Sequence, residues 1–209
     1  SKICTTRQDL YTCVTGTGPI NAACALGSAL TALKLSRIPC TLVLATGLCG
    51  AYDLERVPLK TCCLIHEEIF PEYGLHDGHA VVAEAFKWPQ WKESPKGMIY
   101  DRISLCEKSF LETLGVSAKK MDTFLPCASL TVAGVSASFA RAEFLWNTYH
   151  AALENMEGFS LALTALRFAV PCLEIRCVSN KVGPRRPDQK DFPGALQTLG
   201  ELLPTLNLL

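Results

Sequence analysis

The 209-residue chain has no charge of either sign to spare, since 20 Lys and Arg offset 20 Asp and Glu. Without an overall basic field, nothing gathers nucleic acid or acidic lipid from a distance. Neither is expected as a partner. Charged residues are scarce at 19%, against 49% apolar residues, and this excludes a disordered chain. No apolar run reaches the ~18 residues that a membrane span needs. Arg167 interrupts the nearest candidate, Phe159 to Ile175. No hydrophobic signal-peptide core follows Ser1-Lys2-Ile3-Cys4-Thr5. Repeats, low-complexity tracts and clear linkers are missing too. The length suits one domain with a sizeable core, or at most two small ones.

The 11 cysteines also lack something: no C-x-x-C pair occurs among them, and their number is odd. Both facts speak against a zinc site and against the disulfide framework of a small secreted domain. Most lie inside apolar runs, as in Leu48-Cys49-Gly50 and Val170-Pro171-Cys172-Leu173. They read as reduced core residues of a cytoplasmic protein.

What is present alternates between strand and helix patterns. Tyr11–Thr15 reads as a short strand that runs into Gly16-Thr17-Gly18-Pro19. Pro19 opens a helix with apolar residues at Ile20, Ala23, Cys24, Gly27 and Leu30, ending near Leu35-Ser36. Cys40–Ala45 is almost wholly apolar and suits a strand buried on both faces, ending in a glycine turn at 46–51. Further strands are expected at 59–66, 129–135 and 172–178. Helices are expected at about 104–114, 141–149 and 156–168. Asp191 caps a last helix with Pro193 in its first turn. The stretch from about 70 to 126 reads as loops around one helix. Strands alternating with helices predict a single α/β domain with a mostly parallel sheet.

Four constellations merit chemistry. Gly16-x-Gly18 follows a strand and precedes a helix, but position 21 is Asn21 and the next strand ends without a carboxylate. A dinucleotide fingerprint wants glycine and an acid there. Gly47-Leu48-Cys49-Gly50-Ala51 puts glycines at the carboxyl end of a buried strand, where a ligand can approach backbone N–H groups. Cys49 is either a packing cysteine or a nucleophile with no partner motif. In Glu154-Asn155-Met156-Glu157-Gly158, Glu157 either complements the helix dipole or accepts hydrogen bonds from a ligand's hydroxyls, with Met156 against an apolar ring. Asn180, after Ser179 at the end of a core strand, is either a turn residue or a donor–acceptor for a ligand. His76-x-x-His79 beside Asp77 is a weak metal pattern. No metal or cofactor is expected.

Taken together, V-T-G-T-G-P-I-N-A-A (14–23), A-T-G-L-C-G-A-Y (45–52), E-N-M-E-G-F-S-L-A (154–162) and E-I-R-C-V-S-N-K-V-G (174–183) resemble the purine nucleoside phosphorylase/nucleosidase superfamily. The branch they are most similar to holds the 5'-methylthioadenosine/S-adenosylhomocysteine nucleosidases and the futalosine hydrolases of menaquinone biosynthesis. The resemblance implies a three-layer α/β/α fold with a central mixed, mostly parallel sheet. It implies that Glu157 holds the ribose 2'- and 3'-hydroxyls, that Met156 lines the ribose and that Gly50 and Cys49 border base and sugar. Phe139 would stack on the purine, and Asn180 would face N7 and the 6-substituent. An amide at 180 cannot act as a carboxylic general acid. Together with Ser179 and Lys181-Val182-Gly183, it favours a 6-oxopurine, hypoxanthine released from futalosine. An adenine-releasing nucleosidase and an inactive purine-binding homologue are the alternatives. Leu48 stands where phosphorylases carry a hydroxyl for phosphate, so water is the expected nucleophile. Family members are commonly homodimers. The carboxylate that polarises the water belongs to a segment just after the family's first strand. The chain is expected to begin after that strand, as a single nucleosidase domain over 1–209.

Overall fold

A computed structural model describes residues 3–7, 10–78, 80–105, 108–113 and 115–206. The chain begins with an antiparallel pair, β1 (Ile3–Arg7) and β2 (Leu10–Cys13). Helix α1 (Pro19–Leu35) starts at Pro19, whose missing N–H is unneeded in a first turn. Then come β3 (Val43–Ala51) and β4 (Cys62–Ile69). Two small hairpins follow, β5 (Leu75–His76) with β6 (Val81–Val82) and β7 (Trp91–Ser94) with β8 (Gly97–Ile99). The rest comprises β9 (Arg102–Ser104), α2 (Lys108–Thr113), α3 (Ala118–Met121), β10 (Leu125–Thr131), α4 (Phe139–Tyr149), β11 (Leu153–Asn155), α5 (Gly158–Arg167), β12 (Cys172–Lys181) and α6 (Phe192–Leu202).

The main sheet is mixed, in the order β10-β11-β3-β12-β4-β9. Its longest ladders, β3–β12 and β4–β10, are parallel, as expected. β11–β3, β12–β4 and β4–β9 are antiparallel. Because β10 pairs with both β11 and β4, five strands form a closed circuit of hydrogen bonds. Helices cover both faces, which gives the three layers. On one face Ala22, Leu26 and Leu30 of α1 and Phe159, Ala162 and Ala165 of α5 pack over Ala45, Cys63, Ile65 and Val178. On the other, Ala195 and Leu199 of α6 pack over Leu64, Leu173, Ile175 and Cys177. α4 places Ala142 and Leu145 against Tyr52, Ile69 and Leu130.

Several boundaries differ from the sequence reading. β3 does not end in a turn at 46–51 but continues through it to Ala51, paired with β12 throughout. Gly47 and Gly50 serve close packing there: a Cβ on Gly47 would lie 2.8 Å from Arg176 Nη1, and one on Gly50 would lie 2.8 Å from Val182 Cγ2. β4 and β10 are offset from the expected 59–66 and 129–135, and the three-residue β11 lies in what reads as a loop before a helix. The expected helix at 104–114 is α2, with residues 106, 107 and 114 outside the described ones. α4 starts two residues early because the Ser138 hydroxyl accepts from Arg141 N at 3.2 Å. Asp191 caps α6 as predicted, accepting from Gly194 N at 2.9 Å.

Candidate active site

The site is built where β12, β3 and the start of α5 converge. Along β12, Glu174 and Arg176 are two residues apart and therefore share a face of the strand. That face is buried; the Arg176 side chain is only 3% exposed. Arg176 Nε donates to Glu174 Oε1 at 2.7 Å, and Nη1 pairs with Glu157 Oε2 at 3.1 Å. A longer contact runs from Nη1 to the Leu48 carbonyl at 3.4 Å. Bonds of this charge-assisted kind are about twice as strong as neutral ones. The neighbouring acids Glu174, Glu157 and Glu68 raise the guanidinium's proton affinity further, against the opposing effect of burial.

Glu157 is fixed from a second direction. Its other oxygen, Oε1, accepts from the backbone N–H of Gly18 at 3.1 Å. Gly18 sits at φ +92°, in the left-handed region that glycine tolerates, so the loop before α1 aims its amide at the carboxylate. The donor that a dinucleotide phosphate would use is thus taken by the chain's own Glu157. Its backbone is pinned as well. Asn155 Oδ1 accepts from the N–H of Glu157 at 2.8 Å and of Gly158 at 2.7 Å. Those amides open α5 and have no partner within the helix. The Glu157 side chain remains 16% exposed, enough to present an oxygen edge to a ligand. Met156 beside it is half-buried.

At the far end of β12 a bulge between Val178 and Asn180 sets Asn180 opposite Gly50 of β3. A Cβ on Gly50 would lie 3.1 Å from Asn180 Nδ2, so glycine is what lets the amide lie close to β3. Asn180 Nδ2 donates to the Lys181 carbonyl at 2.9 Å, and Oδ1 lies 3.0 Å from Ser179 Oγ. Ser179 Oγ is also 3.1 Å from the Cys49 carbonyl, but a hydroxyl has one proton and gives it to one of the two. One Asn180 N–H therefore stays available for an acceptor.

The remaining predicted residues are placed differently. The Cys49 side chain is 4% exposed and sits in the core with Cys63 and Cys127. Burial pushes its thiol well above the usual range, which disfavours the thiolate a nucleophile needs. Only the Cys49 carbonyl reaches the Asn180 region. Phe139, at the first turn of α4, is 57% exposed with the Arg186 guanidinium 5.8 Å from its ring centroid. Leu48 packs toward Leu64 and Leu173 on the α6 side. His76 Nδ1 accepts from Gly78 N, and His79 lies outside the described residues. Among the described residues no His, Cys, Asp or Glu cluster is placed to hold a metal. No helix there is long and apolar enough to cross a membrane. A groove of about 370 Å³ opens elsewhere, lined by apolar side chains such as Ile103, Phe110 and Leu166.

Sequence reasoning missed Glu68, Asn155 and Glu174, and quoted Arg176 without a role. The signal was available: Glu174-x-Arg176 puts opposite charges on one face of an otherwise apolar strand.

Comparison with known proteins places the chain in a family. The chain is 48% identical over 61 residues to the futalosine hydrolase of Streptomyces coelicolor, a stretch that spans 29% of this chain and about a quarter, 26%, of that relative. It is 29% identical over 177 residues to the futalosine hydrolase of Thermus thermophilus, covering 82% of this chain and 69% of the relative. The structure of a futalosine hydrolase mutant from Helicobacter pylori superposes with a TM-score of 0.71 at 19% identity, over 92% of this chain and 77% of that one. The last likeness is one of fold. The family model of the Phosphorylase superfamily matches residues 3–203, nearly the whole chain, and to that superfamily this protein belongs.

Proposed function

We propose that the protein is a nucleosidase that hydrolyses the N-ribosyl bond of a 6-oxopurine nucleoside, with futalosine as substrate and hypoxanthine as the released base. The observation that carries the reading is the doubly held Glu157. Arg176 and Gly18 fix its carboxylate, and its exposed edge suits adjacent sugar hydroxyls, with Met156 alongside. Arg176 and Asn180 are four residues apart on β12, about 13 Å of extended chain. That span has room for a sugar at one end and a fused-ring base at the other. At the base end, Asn180 donates an N–H to N7 or O6 and stabilises charge as the base departs. Leu48 has no donor for phosphate, which favours water as the nucleophile. The names of the relatives support the same substrate; a place in menaquinone biosynthesis rests on the motif resemblance alone.

In the same proposal the active form is a cytoplasmic homodimer. Val14 and Ile20 flank Gly18 and are 80% and 78% exposed, an apolar surface that a second copy would cover beside the site. Cys13, Cys24, Cys40, Cys49, Cys62, Cys63, Cys127, Cys172 and Cys177 are free thiols, in keeping with a reducing compartment.

The test is incubation with futalosine, aminodeoxyfutalosine and 5'-methylthioadenosine, with released bases separated by chromatography. Hypoxanthine release that is lost in Glu157→Gln is the expected result. Faster adenine release would move the assignment to 6-aminopurines. Binding of hypoxanthine with no turnover of any of the three would leave a purine-binding protein instead.

A further inference from the structure

Arg176 pairs directly with Glu174 and Glu157, and a third carboxylate, Glu68, acts on the same guanidinium through space. Glu68 and Glu174 are fully buried. Both press on Gly158, where a Cβ would collide with Glu68 Oε1 and lie 2.6 Å from Glu174 Oε1. Full ionisation would put two uncompensated negative charges there, which a low-dielectric interior strongly disfavours. The partners show which acid can do without its charge. Glu174 has Arg176 at 2.7 Å, and Glu157 has Arg176 and some water. Glu68 has only neutral partners: Asn155 Nδ2 at 2.7 Å from Oε1, and Thr131 Oγ1 at 2.6 Å from Oε2.

Rested on the role just given to Glu157, we propose that Glu68 is a neutral carboxylic acid in the folded protein and acts as a positioning residue, leaving Arg176 to be shared between Glu174 and Glu157 and Asn155 to hold the Glu157 backbone. The hydrogen-bond polarity accommodates this without losing a bond. Glu68 Oε2–H donates to Thr131 Oγ1. The Thr131 hydroxyl turns to donate to Asn155 Oδ1 at 3.3 Å while still accepting from Phe159 N at 2.7 Å. Asn155 Nδ2 donates to Glu68 Oε1 as before and also to Ser129 Oγ at 2.7 Å. Asn155 Oδ1 therefore stays aimed at the amides of Glu157 and Gly158.

The groups that face Glu68 work in both directions. Burial and the Glu174 carboxylate push its proton affinity well up; Thr131, Arg176 and Asn155 pull it down by less. Glu174 is itself raised by burial, with Arg176 opposing. Once pH rises far enough to ionise Glu68, its charge competes with Glu157 for Arg176 and loosens the hold on Glu157.

Glu68→Gln tests this, because glutamine copies the shape of the protonated acid. We expect kcat and KM at neutral pH to stay within about twofold of the parent, as for an isosteric change. The rise in KM that Glu68 ionisation causes as pH increases should disappear. Glu174→Gln, by contrast, should raise KM about tenfold, since it weakens a bond to a charged group. Infrared spectroscopy of the folded parent at pH 7 should show a carboxylic-acid carbonyl band that Glu68→Gln removes. The urea midpoint of the parent should fall from pH 5 to pH 8, and in Glu68→Gln it should fall less. Loss of activity in Glu68→Gln as large as in Glu174→Gln, or its failure to fold, would overturn the proposal. So would a parent lacking the acid band at pH 7. If no nucleoside is turned over, the functional reading fails, and the infrared and urea arms still decide the state of Glu68.

Discussion

Replacing Arg176 with methionine keeps most of the aliphatic volume of the side chain and deletes its charge. Glu174 would then be fully buried with no cation, its Oε1 losing the bond at 2.7 Å and its Oε2 already without a hydrogen-bond partner. Breaking a buried pair by removing one member costs about 3–5 kcal/mol. That is a large fraction of the ~5–15 kcal/mol that holds a domain folded. The loss should depend on pH in a definite direction. Without Arg176, Glu174 loses the cation that pulls its proton affinity down, so it takes up a proton in the folded state and releases it on unfolding. Where the folded state binds more protons than the unfolded one, stability falls as pH rises. The penalty is thus smallest below the ordinary carboxylate range and grows through neutral pH. Urea unfolding followed by tryptophan fluorescence at pH 5 and pH 8 measures both quantities. Adding Glu174→Gln to Arg176→Met removes the stranded charge and should recover part of the loss. A penalty below ~1 kcal/mol, equal at the two pH values and untouched by the second substitution, would refute the reasoning.

Other consequences follow from single contacts. Gly50→Ala would set a methyl 2.8 Å from Val182 Cγ2 and 3.1 Å from Asn180 Nδ2. It should cost about 1–3 kcal/mol in thermal unfolding and weaken purine binding in calorimetry by displacing Asn180. Asp191→Ala removes the N-cap of α6 and the 3.5 Å contact with Lys60. It should lower stability by about 1 kcal/mol while leaving ligand affinity unchanged, since α6 packs on the face of the sheet away from Glu157.

Elements whose ends carry strong local chemistry were legible in the sequence. Pro19 begins α1 and Asp191 begins α6 for reasons visible without a structure. Those defined by pairing were not. β3 continues through Gly47 and Gly50 because β12 runs beside it along its whole length, and glycine-rich segments otherwise read as turns. β11 has three residues, too few for any periodicity, and exists because β10 and β3 lie on either side of it. The site was half legible. Glu157, Met156, Gly50 and Asn180 stood out in motif blocks, and the structure arranges them around the meeting of β3, β12 and α5. The buried ionisable groups that hold them come from β4 and β12, more than a hundred residues apart, and only the tertiary fold brings Glu68 beside Glu174. Cys49 stood out for its neighbours in the sequence, but its side chain faces the core.

The closed circuit of strands gives β11 an influence out of proportion to its length. Leu153–Asn155 joins β10 to β3, and the same residues lead directly into Glu157. Closing the sheet and setting Glu157 in place are therefore coupled. By linkage, a ligand that engages Glu157 only in the closed form stabilises the circuit by RT ln(1 + [L]/Kd). On the proposed function a bound nucleoside would act as a staple for the whole sheet, and its signature would be slower amide exchange in β10, a strand that need not touch the ligand.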